Sequence, residues 1–463
     1  MSAANDPPRY DAIIVGARPA GAATAMLLAR AGLRVLVVDK AQYGADTIST
    51  HALMRAGVLQ LTRWGLLDRV IAAGTPPIRR ATFYVGSDRT TIPVRAADGV
   101  DALYAPRRTT LDPIIAAAAE ASGAELRYGV TVKALHYDAT GRIIGITGHN
   151  HLGAPVSARA PLTVGADGMS SRVAHWAGAA TDHAGTAASA LYYGYWDDLA
   201  TDGYEWYFRP GAGAGAIPTN DGHTCVYAST ARDRLDTTLP AAAAFRQLLA
   251  SAAPELAQRL AEATRIGPLR RFVGRPGHLR RAVGPGWALV GDAGYFKDPI
   301  TPHGITDALR DAELLADAVI DNLSGDADPA EPLAGYQTTR DQLSLPLFTA
   351  TNAIAGYAWD ATQVTALLRQ ASAAMAAEVA AILTGQADAS APAKADTESY
   401  PPPHRSGSTD SPPPTTPADS RASSSASADT RCSSLTRWAT SPSNPKPPIC
   451  SSNSCQAATS EPP

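Results

Sequence analysis

The sequence predicts an α/β fold built on a parallel sheet, and three observations predict it. Residues 10–40, YDAIIVGARPAGAATAMLLARAGLRVLVVDK, read as strand, glycine-bearing turn, small-residue helix and second strand. Two later segments, Leu162-Thr163-Val164-Gly165-Ala166-Asp167-Gly168 and Ala288-Leu289-Val290-Gly291-Asp292-Ala293-Gly294, each read as a short apolar strand delivering an acid beside glycine. Between them lies a stretch dense in tyrosine and tryptophan whose alternation suits a half-buried antiparallel sheet.

Taken in order, Ile13, Ile14 and Val15 make the first buried strand, and Gly16 stands where the backbone must turn sharply. Gly21 lets the following helix press against the sheet. Gly32 ends that helix, and residues 33–38 form a second strand closing on Asp39. Together these make the Rossmann dinucleotide fingerprint, in which helix N-terminal amides face a pyrophosphate. Asp39 follows Gly16 at about the 20-residue spacing expected of a carboxylate that holds an adenosine ribose. An acid there favours FAD or NAD over a 2′-phosphorylated nucleotide. Arg18 occupies the middle glycine position; it either supplies positive charge beside the pyrophosphate or points to solvent. The bland alternative is an ordinary βαβ turn.

Residues 51–70 carry a mostly helical pattern broken at Gly65, and residues 81–94 alternate around Gly86-Ser87-Asp88 as a hairpin. Arg107-Arg108-Thr109-Thr110-Leu111-Asp112 then opens an alanine-rich helix reaching residue 121. A cation at that helix start opposes the macrodipole, an objection that an anionic ligand would remove. Strands follow near residues 125–127 and 131–137, with a turn at 138–141. The acid Asp167, followed by Ser170, Ser171 and Arg172, is by itself equally an Asx turn with a helix cap. Asp292 repeats the device. Beyond it Pro299, Pro302, His303, Gly304 and Ile305 lead into a helix over residues 306–320. Its N-terminus would place backbone donors near an electron-rich ring or a phosphate.

Composition narrows the function. The chain has 463 residues, 45% of them hydrophobic, and a formal charge of -3, which offers no basic field for nucleic acid. The polar first ten residues do not read as a signal peptide, and no apolar run is expected to reach about 18 residues. The expectation is a cytoplasmic protein without stable membrane insertion, a monomer or weak homodimer. Cys225, Cys432, Cys450 and Cys455 form no convincing disulfide or metal framework. Near residue 386 the sequence turns rich in Pro, Ser and Thr, which predicts a disordered low-complexity tail over residues 386–463. That tail resembles an out-of-frame extension of a GC-rich gene; a flexible functional tail is the rival.

These ordered motifs resemble the class A FAD-dependent monooxygenase superfamily, the p-hydroxybenzoate-hydroxylase-like fold, over roughly residues 10–383. Gly16, Gly21 and Asp39 match its first fingerprint, Arg108 its arginine before a helix, Asp167 its "DG" motif and Asp292 its "GD" motif. Arg18 is similar to the variant in geranylgeranyl-reductase-like relatives. The resemblance implies a Rossmann-like FAD-binding domain with an inserted, mainly antiparallel β-sheet substrate domain and C-terminal helices. The implied division is 1–80, 106–180 and 276–320 for FAD, 81–105 and 181–275 for the substrate sheet, and 321–385 for the helices. It further implies that Asp292, Pro299, Gly304 and Ile305 approach the ribityl and ring portions of FAD. Asp167 and Arg172 would support the flavin and a pyridine nucleotide.

In that frame the aromatic sheet covers the flavin ring and lines a cavity for a small organic substrate, with Tyr193, Tyr204, Trp206 and Tyr207 the leading candidates. Strand alternation prevents all of them from facing one cavity. His51 and His303 either hydrogen-bond flavin or relay a proton, with Tyr204 as a third catalytic candidate, or the histidines simply satisfy their loops. Lys297 and Asp298 are expected as a solvent-side pair, and no metal-ligand spacing is present. Helices around residues 336–342 and 360–383 are expected to cover the nucleotide domain. The implied reaction is hydroxylation of an electron-rich, aromatic substrate with NAD(P)H and molecular oxygen through a flavin C4a-hydroperoxide. The alternatives are a geranylgeranyl-reductase-like reductase, a halogenase lacking its usual paired-tryptophan segment, and a non-enzymatic flavin-binding module.

Overall fold

The strand Ala12–Val15 is buried throughout, and its alternation decides the layering around it. Ala12 and Ile14 pack with the helices of one core cluster, whereas Ile13 and Val15 pack with a small sheet on the opposite face. Both faces are covered, as the continuous apolar run required. The computed structural model describes residues 7–324 and 330–384, so the expected tail at 386–463 lies outside the described residues.

The central sheet has six strands in the order Val283–Gly284, Trp287–Leu289, Leu162–Gly165, Ala12–Val15, Val35–Asp39 and Glu125–Tyr128. All its pairings are parallel except that of the edge strand Val283–Gly284. Helices Pro19–Arg30, Arg108–Ala121 and Gly304–Ser324 cover one face. Val130–Tyr137, Ile143–Asn150 and Pro155–Arg159 form a three-stranded antiparallel sheet over the other.

The second large sheet has seven strands: Thr264–Val273, Ser189–Asp197, Thr224–Ala231, Ala212–Pro218, Tyr204–Arg209, Arg80–Val85 and Asp88–Pro93. It is antiparallel apart from the pairing of Tyr204–Arg209 with Arg80–Val85. Alternation sorts its aromatics. Tyr193, Tyr195, Tyr204, Trp206 and Tyr227 share a cluster with Ile300, while Tyr192, Trp196 and Tyr207 pack with the helix Ala241–Ala252.

Several elements were not read from the sequence. The edge strand Thr264–Val273 is largely exposed and carries Arg265, Arg270 and Arg271, so it has no apolar alternation to announce it. The hairpin Ile143–Asn150 with Pro155–Arg159 and the helices Ala241–Ala252 and Pro254–Glu262 were also unassigned. The C-terminal helix Ala330–Ala355 is longer than the expected 336–342, whereas Ala361–Thr384 lies within one residue of its expected span. Among the described residues one helix, Ala361–Thr384, is long enough to cross a membrane and has a mean hydropathy of 1.3, but Arg369 and Glu378 interrupt its apolar run, as expected of a chain without an uninterrupted apolar stretch. It turns Val364, Leu368, Ala371, Glu378 and Ile382 into the protein.

Candidate functional site

The chain leaves Ala12–Val15 through Gly16, whose φ of 112° is a conformation glycine adopts at little cost. A Cβ on Gly16 would collide with the Ala166 carbonyl oxygen, and one on Gly21 with the Gly16 carbonyl oxygen. The helix Pro19–Arg30 therefore starts hard against the sheet edge, and no side chain caps its first amides. Gly16, Arg18, Pro19 and Ala20 form one wall of a cavity of about 630 Å³. Asp39, His51, Arg108, Asp167, Asp292, Pro299, His303, Gly304 and Ile305 line the same cavity. Residues separated by most of the chain thus meet at the carboxyl ends of the parallel strands, where an open α/β sheet binds its ligand.

Each charged member has a definite partner set. The Asp39 carboxylate accepts the amides of Ala17 and Ala41, both at 2.7 Å, which locks the glycine turn to the second strand. Arg108 binds Asp112 two-pronged at 2.6 and 2.8 Å, and Arg18 Nη1 approaches the same carboxylate at 3.8 Å. Asp112 thus answers much of the objection to a cation at this helix start, without any ligand. Asp167 accepts the Ser171 hydroxyl and the amides of Arg172 and Val173, so it fixes the short helix Arg172–Trp176 while lining the cavity. The Asp292 carboxyl faces the cavity, and burial pushes its pKa up to about 6.

The two histidines are both buried, at 1% exposure. His51 has a positive φ of 69°, and its Nε2 lies 2.6 Å from the Tyr195 hydroxyl. Arg107 sits 4.0 Å over the Tyr195 ring. Burial, then Arg107, Arg108 and Arg270, lower the His51 pKa to about 3, so the ring is neutral. His303 Nε2 meets Glu378 at 2.5 Å, and the Nδ1 atoms of both histidines have no hydrogen-bond partner among the described residues.

The aromatic candidates separate. Tyr193 lines the cavity, with its hydroxyl accepting the Ser49 amide at 3.2 Å. Tyr204 is fully buried, donates to the Tyr104 carbonyl at 2.7 Å and is not among the lining residues, so the structure places it in the sheet core. Trp206 is likewise absent from the lining, and Tyr207 donates to Glu205 on the far face. Leu191, Phe272 and Phe296 supply further apolar wall.

Lys297 and Asp298 do not form the expected solvent-side pair. Both are buried: Lys297 contacts Asp307, while Asp298 accepts the Ser189 amide and hydroxyl at 2.6 and 2.7 Å. Glu378 was missed altogether. Its signal was a lone carboxylate on the buried stripe of an alanine-rich helix. His303, Asp307 and Glu378 bring potential ligand atoms within 4.8 Å of one another. Lys297 and Arg310 already pair with those carboxylates, so the set is ion-paired rather than arranged for a metal.

FAD fits these residues. The side-chain-free turn and uncapped helix start suit a pyrophosphate, and the acids at Asp39 and Asp292 suit the polar arms at either end. The chain is similar to digeranylgeranylglycerophospholipid reductase of Methanothrix thermoacetophila, with 26% identity across 71% of this chain and 82% of that protein. It is 29% identical to menaquinone reductase of Mycolicibacterium smegmatis over 67% of this chain and 76% of the relative. Among solved structures, the myxobacterial chondrochloren halogenase CndH superposes with a TM-score of 0.67 at 21% identity, covering 83% of this chain and 92% of the halogenase. Residues 9–349 match the family model described as FAD binding domain. The chain therefore belongs to the FAD-binding family and is an FAD-dependent oxidoreductase with the class A flavoprotein fold.

Proposed function

We propose that the protein is an FAD-dependent reductase that saturates a carbon–carbon double bond in a polyprenyl chain, with NAD(P)H as hydride source. The observation that carries this proposal is the likeness to two reductases over at least two thirds of the chain. Digeranylgeranylglycerophospholipid and menaquinone differ in their head groups but share polyprenyl character. The hydroxylation expected from the motifs has support from fold similarity alone, because the halogenase is only 21% identical.

FAD, when bound, supplies hydride transfer. Gly16 and the start of Pro19–Arg30 would hold its pyrophosphate, Asp39 its ribose, and Asp292, Pro299, Gly304 and Ile305 its ring end. Leu191, Tyr193 and Phe272 offer an apolar surface against which an alkene can lie with water excluded. If the Tyr195 hydroxyl donates to His51 Nε2, its proton is satisfied and His51 Nδ1–H is left as the unpartnered donor at the cavity wall. Anaerobic turnover with a polyprenyl acceptor tests the proposal. A product that gains two hydrogens supports it, whereas a product formed only with oxygen and carrying an oxygen atom refutes it.

A further inference from the structure

Behind the cavity wall at Lys297 and His303 lies a set of buried charges from several elements. Lys297 contacts Asp307. Arg310 bonds Asp307 at 3.3 Å, Glu378 at 3.2 Å, Asp311 at 2.6 Å and the Ser344 hydroxyl at 2.8 Å. The Tyr295 ring lies 5.0 Å from the Lys297 ammonium and 5.7 Å from the Arg310 guanidinium. Asp298 is turned to Ser189, and Asp292 faces the cavity. Lys297 and Arg310 face three carboxylates, Asp307, Glu378 and Asp311, so with both cations charged and His303 neutral these groups carry one negative charge in excess. A protonated His303 would cancel it.

His303 has a seat for that proton. Glu378 engages Nε2 at 2.5 Å, while Nδ1 is buried and has no partner among the described residues. Burial lowers the His303 pKa, which favours a neutral ring at rest despite the opposing pull of Glu378. A new negative charge in the adjoining cavity raises the proton affinity of an imidazole beside it.

We propose that the His303–Glu378 pair takes up the proton that compensates two-electron reduction of FAD, with Glu378 as a positioning residue supplied by the last helix. The carbon–hydrogen bond of a reduced nicotinamide would break, the nicotinamide would be oxidised, and its hydride, carrying the bonding electron pair, would pass to FAD. One proton from solvent forms a new N–H bond at His303 Nδ1 and balances the added charge. Glu378 holds Nε2–H throughout. Glu378 lies beyond residues 9–349, the part matched by the FAD-binding family model, so the C-terminal helix contributes to the redox site. The proposal goes beyond the substrate reading, since it requires FAD but no particular acceptor.

The test is the pH dependence of the flavin potential in the FAD-loaded full chain, measured spectroelectrochemically across neutral pH. Wild type should take up one more proton per two electrons than His303→Asn, a slope steeper by about 30 mV per pH unit. The reduced flavin should show the spectrum of an anionic ring in both. Glu378→Gln should move the extra step to lower pH, because the imidazolium loses its counter-charge. Lys297, whose pKa burial and Arg310 lower to about 7, is the rival seat, and Lys297→Met should retain the step. An unchanged slope in His303→Asn, loss of the step in Lys297→Met, or a neutral reduced ring would overturn the proposal. Should the variants fail to fold, nitrogen-15 histidine spectra of wild type decide: one imidazole gains a proton on reduction, and no change refutes the pair. None of these readouts uses the alkene substrate, so a failure here is separate from failure of the reductase assignment.

Discussion

The Asp39 carboxylate ties the glycine turn to the second strand and lines the cavity, where the proposed placement of FAD puts its adenosine ribose. Asp39→Ala should weaken FAD binding by about 2 kcal/mol, roughly 30-fold in Kd, as measured by flavin fluorescence titration. Unchanged affinity in folded protein would place the ribose elsewhere. Tyr204→Phe should cost about 1 kcal/mol in thermal or denaturant unfolding and leave turnover intact, because the hydroxyl serves the Tyr104 carbonyl. A large fall in kcat would return Tyr204 to the chemistry. His51 gives a pH signature. Its folded pKa, about 3, lies below the ordinary 6.5, so the unfolded chain binds the proton between those values. Stability should therefore fall as pH drops from 6.5 toward 3, and His51→Asn should flatten that part of the profile. Gly16, Asp39 and Asp292 were legible because turn geometry and strand ends fix such residues locally. Tyr195 and Glu378 were not, since each meets its histidine only through long-range packing.

The elements that announced themselves were those with a strong period or a glycine stop. Ala12–Val15, Pro19–Arg30 and Val35–Asp39 follow the sequence pattern closely, whereas Thr264–Val273 is an exposed, arginine-bearing edge strand with no period to read. Alternation also explains why only Tyr193 of the four aromatic candidates reaches the cavity: a strand offers every second side chain to one face, and depth along the sheet removes others. The last helix carries more than packing. Glu378→Ala strips His303 and Arg310 of a buried counter-charge and should cost about 3–5 kcal/mol. Denaturant unfolding would measure it, and a cost near zero would mean that the cluster is solvated. Removing residues 361–384 should abolish folding or flavin retention, whereas a chain ending after residue 384 keeps every described contact. Loss of flavin from the latter chain would contradict that division.

On the scale of the whole molecule, one cavity joins the carboxyl ends of the parallel strands, the loop before Gly304–Ser324 and the apolar face of the seven-stranded sheet. The nucleotide-binding end was written in local motifs and could be read from sequence. The chemistry at the other end was not, because a fold does not fix function and the residues on that wall come together only through long-range packing. The decisive measurement is a single turnover with FAD pre-reduced under strictly anaerobic conditions and mixed with a polyprenyl lipid whose only reducible groups are its chain double bonds. We predict that flavin reoxidises as the acceptor gains two hydrogens, with deuterium from the reduced nicotinamide carried into the product through the flavin. Flavin that stays reduced until oxygen is admitted, followed by an oxygenated product, would contradict the reductase assignment.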